Sequence, residues 1–397
     1  MSLSLFKAQN ILILICTMLF ILSGCEYIKP TQVWNPDEKG AETPVILSVE
    51  PDSAYDGILE IALNGENFSP VVGENFVHFG TEPGLVKTAS TTQLTVIRPI
   101  SASGFLTIQV AVAGAFLTGA YHPYKLEEGV VEIGGMGRVN SIAIDQNENL
   151  YAERDRIVYK LTPQGEQIVF GTTDFKSSAM RIGADGFLYI QKIDNRDLYR
   201  IAPEGGLAEK FVKLTKRASF FDFGESGYIY SGSEVYGLLV TDPTGTESTQ
   251  IDEYDDLTVK AVRVFKGEVY VAADTSIENL SLGKGIWRHK ILENGALEEK
   301  VLVLDWATSD NFAESSILDL TFSTDGDLYV GTNHSNPIFV LRSDGSLTTL
   351  YEGLVASPAT QLYWGNGNYL YINRYGRSDD DSGIYRLVMG KKGAPYF

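Results

Sequence analysis

Residues Ile317 to Tyr351 read ILDLTFSTDGDLYVGTNHSNPIFVLRSDGSLTTLY, and how this stretch folds decides the rest. Ile317, Leu318, Leu320 and Phe322 make an apolar run, Asp325-Gly326 a two-residue hairpin turn, and Leu328-Tyr329-Val330 the returning strand. After a loop, Ile338 to Leu341 gives a third strand, Asp344-Gly345 a second tight turn, and Leu347 to Tyr351 a fourth strand. One such meander has two open edges and too little core to stand alone, so copies of it must pack face to face.

Copies are present. Aligned on the tyrosine of the second strand, they fall at Tyr151, Tyr189, Tyr230, Tyr270, Tyr329 and Tyr371, with spacings of 38, 41, 40, 59 and 42 residues. That spacing is the blade repeat of a propeller, here with six blades. The sixth copy runs out in the short polar GKKGAPYF, whereas Val130-Val131-Glu132-Ile133 precedes the first copy and has no blade of its own. We therefore expect this early strand to complete the last blade and seal the ring.

Upstream, from Pro44 to about Leu126, the runs ILSVEP, ILEIALNG, NFVHFG, QLTVIRP and GFLTIQVAVAG alternate in polarity and are broken by Gly and Pro, as in a small sandwich. The segment resembles the IPT/TIG family of immunoglobulin-like domains through Pro44 to Pro51, Gly65-Glu66-Asn67-Phe68, Val77-His78-Phe79-Gly80, Ile97-Arg98-Pro99 and Tyr124. The repeats resemble NHL-type six-bladed propellers, with an Ile/Val-rich strand, a turn containing Asp and Gly, and a Leu-Tyr-Val strand. The expected fold is all-β, an immunoglobulin-like β-sandwich followed by a six-bladed β-propeller.

At the N-terminus, Lys7 and the apolar run Ile11 to Leu22 have the layout of a signal peptide, too short to span a bilayer. The run ends in Leu22-Ser23-Gly24-Cys25, which resembles the bacterial lipobox, so the resemblance implies lipidation of Cys25 and a membrane anchor. The expected organisation is a signal peptide over 1–24, a flexible tether over 25–43, the IPT/TIG domain over 44–127 and the propeller over 128–397. The only other cysteine, Cys16, lies in the segment to be removed, so no disulfide framework is possible. The net charge is −19 and becomes −20 without the signal peptide, which argues against nucleic acid as a partner.

Blade topology puts the loops between second and third strands, and those between blades, on one rim. That rim is expected to carry the long, varied loops and hence the binding face. It collects Arg154, Arg196, Glu234, Asp274, Trp306, Asn333, His334, Arg374 and Tyr375 as candidate ligand-binding residues. Planar polar groups beside aromatic rings suit the hydroxyls and apolar faces of a sugar. His334 is a lone loop histidine, which is more often hydrogen-bonded than a general base. Asp379-Asp380-Asp381 lacks the calcium-loop pattern and reads as a solvated loop. No nucleophile elbow, paired-histidine zinc motif or Gly-rich phosphate loop occurs, so no catalytic residue, metal or cofactor is assigned.

Whether the chain is an enzyme stays open, with the residues weighing against it. Bacterial surface lipoproteins of this layout are often glycan-binding accessories, and the resemblance implies a non-catalytic module at the outer membrane or cell surface. Two alternatives remain: a metal-dependent, lactonase-like hydrolase or lyase using Glu234, Asp274 and Asn333, or a protein-interaction scaffold in an envelope complex.

Overall fold

The computed structural model describes residues 39–55, 60–99, 103–233, 235–275, 283–308 and 312–394. The signal peptide, Cys25 and most of the tether lie outside the described residues, as does Glu234. Short alternating runs punctuated by Gly, Asn and Asp turns give strands nearly throughout.

The first unit is a single sheet folded over itself. Its strands run in the order Val45–Glu50, Glu60–Glu66, Gln93–Ile97, Glu82–Ala89, Asn75–Phe79, Gly104–Val112, Gly119–Glu127 and Ser53–Tyr55. Ile61, Leu63, Leu94, Val96, Ile108 and Val110 are completely buried between its two layers. The buried Tyr124 donates its hydroxyl to the Pro51 carbonyl at 3.0 Å. The strand Glu82–Ala89 carries no clear signal in the sequence because Pro83 and Gly84 interrupt it. Gly84 has a packing reason, since a Cβ there would lie 2.8 Å from the side chains of both Phe79 and Val96.

Six sheets follow, each running from an inner to an outer strand. Their inner strands are Ser141–Ile144, Ser177–Ile182, Phe220–Phe223, Leu257–Phe265, Ile317–Phe322 and Gln361–Trp364. The expected closure is present. In blade six, Gly383–Val388 pairs antiparallel with Val130–Ile133, bringing Ile384 opposite Ile133 and Leu387 opposite Val130. Ile133 packs on the core shared with blade one, and Val130 on that shared with blade five.

The six marker tyrosines are buried between blades. Burial pushes the hydroxyls of Tyr189, Tyr270 and Tyr329 up to about 12, and acid neighbours add to the effect. Several of these hydroxyls act as stitches. Tyr371 of blade six donates to Glu148 of blade one at 2.8 Å, and Tyr230 of blade three to the Gly295 carbonyl of blade four at 2.9 Å.

Along the axis the inner strands present an edge that no further strand covers, so their amides need other acceptors. Side chains supply them across the blade boundaries. Ser177 N–H donates to Glu153 at 3.0 Å, Val264 N–H to Asp222 at 2.8 Å, Leu362 N–H to Asp319 at 2.8 Å and Ile142 N–H to Gln361 at 3.1 Å. At mid-height Asp222 also pairs with Arg263 at 2.6 Å and with Arg181 at 3.7 Å. Arg181 of blade two reaches the Tyr363 hydroxyl of blade six and stacks 4.5 Å from its ring. These charges are almost fully buried.

Candidate binding site on the upper rim

The rim bearing the second-to-third-strand loops, called upper here, is less uniform than expected. In blades one and two these loops are tight turns. Asp155 and Arg156 take φ of 53° and 69°, and Asp194 takes 52°, as short hairpin turns require. Among the described residues the relief comes instead from later blades, above all from the 375–382 loop of blade six.

That loop is built around Tyr375, which follows the strand Tyr369–Arg374. The Tyr375 amide donates to Thr360 Oγ1 at 3.1 Å, and the Arg138 guanidinium lies 4.2 Å above the ring, a cation–π contact. Arg374 Nε donates to the Ser357 carbonyl at 2.9 Å. The loop is then folded back on itself, because Gly376 N–H donates to Ser382 Oγ at 2.9 Å and Ser382 Oγ–H to the Ser378 carbonyl at 2.6 Å.

Asp379 turns out not to be merely solvated. One carboxylate oxygen accepts the Arg138 amide at 3.1 Å and the other accepts Arg154 Nη2 at 3.0 Å. Arg154 also bonds the Met136 carbonyl. The structure thus brings Arg154, Arg374 and Tyr375 together at the junction of blades six and one, and adds Arg138 and Asp379. No sequence signal links these last two, which are 241 residues apart.

The other candidates are dispersed. Arg196 is exposed on blade two, beside the Asn195 carboxamide that accepts its amide at 2.7 Å. Asp274 pairs with Lys284 at 3.6 Å on blade four. On blade five Asn333 accepts the Ser316 amide at 2.7 Å, and half-buried His334 accepts the Asn336 amide through Nδ1 at 3.1 Å. Trp306 has to be withdrawn as a ligand platform. Its side chain is completely buried, packs on Phe312 and Phe339, and donates its indole N–H to the Ser315 carbonyl at 3.0 Å. Among the described residues no group of three or more His, Cys, Asp or Glu side chains could hold a metal ion.

Residues 44–125 match the IPT/TIG domain. Nothing among curated proteins matches the chain. Among solved structures, one similar fold is a protein of unknown function from Bacteroides thetaiotaomicron VPI-5482, 15% identical, covering 89% of this chain and 99% of its own with a TM-score of 0.51. An auxiliary nutrient binding protein from the same organism is 13% identical and covers 87% of this chain and 97% of its own, with a TM-score of 0.52. A luciferin-regenerating enzyme is 12% identical and covers 67% and 97%, with a TM-score of 0.51. At these identities the likeness shows the fold alone, over most of the chain in the first two cases and about two thirds of it in the third, and no activity.

Proposed function

We propose that this chain is a non-catalytic binding module of the bacterial envelope, held by lipidated Cys25, that takes a glycan on the upper rim of its NHL-type ring. The observation that carries the reading is the Arg138–Tyr375 stack, braced from below by Thr360 and from the side by Asp379 and Arg154. A sugar offers an apolar ring face and a girdle of hydroxyls. An aromatic edge, a planar guanidinium and a carboxylate held at fixed separations match both features. The likeness to an auxiliary nutrient binding protein over most of both chains supports a binding role.

The test is affinity-gel electrophoresis on a panel of neutral and acidic polysaccharides. Tyr375→Ala should abolish the retardation of the wild-type chain on at least one of them, and Arg138→Ala should weaken it about tenfold. Retardation that survives both substitutions would remove the upper rim as the site. Replacing Cys25 with Ala should move the protein from the membrane fraction to the soluble fraction of the expressing cells; continued membrane association would refute the anchor.

A scaffold role draws on a separate observation in the TIG unit. Val72, Phe76 and Leu85, exposed at 39%, 53% and 66%, line an apolar groove of about 350 Å3, the kind of surface that marks protein contacts. A photo-crosslinker at Phe76 should capture one defined envelope protein and lose it when Leu85 becomes Glu. Capture that is unaffected by Leu85→Glu would dismiss the groove as a contact site.

A further inference from the structure

Three blades carry an arginine on the third strand directly opposite the marker tyrosine: Arg200 faces Tyr189, Arg288 faces Tyr270 and Arg386 faces Tyr371. The first two are neutralised within their own blades. Arg200 Nε donates to Glu209 at 3.0 Å, and Arg288 Nη1 donates to both oxygens of Glu268 at 2.8 and 3.0 Å.

Arg386 differs. Its guanidinium stacks 4.6 Å from the Tyr369 ring, but its buried Nε has no hydrogen-bond partner, and among the described residues no carboxylate pairs with it. Buried charge-bearing donors are normally satisfied, so an unused one needs an explanation. Arg386 lines a cavity of about 340 Å3 in the cleft between blades six and one, a volume within the range of small-molecule sites.

The walls of that cavity are of three kinds. Ile133, Leu150, Leu161 and Pro163 give it an apolar side. Tyr371 and Thr162 bring hydroxyls, and Glu132 and Glu148 bring carboxylates. Glu148 is already committed, accepting the Tyr371 hydroxyl at 2.8 Å and the Gly367 amide at 2.5 Å, so it adds less repulsion to an incoming anion than a free carboxylate would. Arg386 is the cavity's only cationic lining group among the described residues.

We propose that this cleft is a second binding site, independent of the upper rim, for a small polyhydroxylated carboxylic acid the size of one sugar acid. Its carboxylate takes the bidentate face of Arg386, its hydroxyls meet Thr162 and the acid oxygens, and its apolar face lies on Leu161 and Pro163. The site includes Ile133 of the closing strand, so occupancy also ties that strand to blade one.

Titration calorimetry of the Cys25→Ala chain with D-glucuronate, D-galacturonate and D-glucose tests the assignment. At least one uronate should bind and glucose should not. Arg386→Met should weaken the uronate about tenfold or more. Gln167→Trp, which narrows the cleft from an exposed strand position and leaves Arg386 in place, should also abolish binding. Wild-type protein that binds neither uronate, or that binds glucose equally well, overturns the proposal, as does undiminished binding by the Gln167→Trp protein. Tyr375→Ala should leave uronate binding unchanged, so failure of this site and failure of the upper rim are read separately.

Discussion

The TIG sandwich and the ring bury their interiors in opposite ways. Inside the sandwich the filling is apolar, with Arg98 its one buried charge among the described residues. Its surplus apolar side chains face outward, Leu47, Phe105, Phe116 and Leu117 being exposed at 62%, 71%, 61% and 66%. The ring instead holds Arg181, Asp222, Arg263 and Asp319 along its axis, almost without solvent contact. The difference follows from topology. Two layers packed face on meet through side chains alone, with their backbone groups already in the ladders. Six sheets converging edge on bring unpaired inner amides to a common line. Carboxylates that accept those amides must then be compensated in turn, and the arginines do so.

This comparison can be broken most forcefully at Asp222. Asp222→Ala leaves Arg181 and Arg263 buried without their shared acid, and should cost the ring about 3–5 kcal/mol in denaturant unfolding. Replacing all three together with Arg181→Met, Asp222→Leu and Arg263→Met should recover most of that loss. A triple variant as unstable as the single one would show that the charges do more than balance one another.

A smaller effect is expected from Leu63→Ala in the sandwich, about 3 kcal/mol. It should lower the sandwich transition and leave the ring's midpoint where it was. If both midpoints moved together, the two interiors would not be independent.

The smallest effect concerns acidity. Burial raises the Asp319 carboxyl to about 6, against the opposing pull of Arg181 and the Leu362 and Leu320 amides. Between about pH 4 and 6 the folded chain therefore keeps a proton that the unfolded chain has lost. This contribution is complete below about pH 4 and disappears as pH rises through 6. The stability of wild type relative to Asp319→Asn should accordingly fall by about 2–3 kcal/mol between pH 4 and 7. A constant difference over that range would dismiss the axial burial of this charge.

Much of the architecture was legible because it is repetitive. Tyrosines at spacings near one blade length, and the unplaced run Val130 to Ile133, are enough to propose a ring with its seam closed from the N-terminal side. The sandwich strand through Pro83 and Gly84 was hidden because both residues weaken the local strand signal, and only the close approach of Phe79 and Val96 explains them. The site was harder to read. Trp306 sits in a connection that the topology assigns to a rim, but its large apolar surface fills a gap between blades four and five. Arg138 and Asp379 gave no hint of each other, since a contact between the two ends of a closed circle leaves no trace in local pattern. Arg386 was equally silent, because only comparison with Arg200 and Arg288 in three dimensions reveals that its partner is missing.

The seam also sets the order in which the molecule can mature. A ribosome delivers Val130–Ile133 early, yet the strand that pairs with it, Gly383–Val388, emerges 250 residues later, from Ile133 to Gly383. Until then the nascent chain carries two unmatched ends, and a product cut short anywhere in blade six displays both. Locking of the circle therefore waits for Gly383–Val388, and a fragment that lacks this strand keeps Val130–Ile133 without its partner, an unpaired edge open to proteolysis.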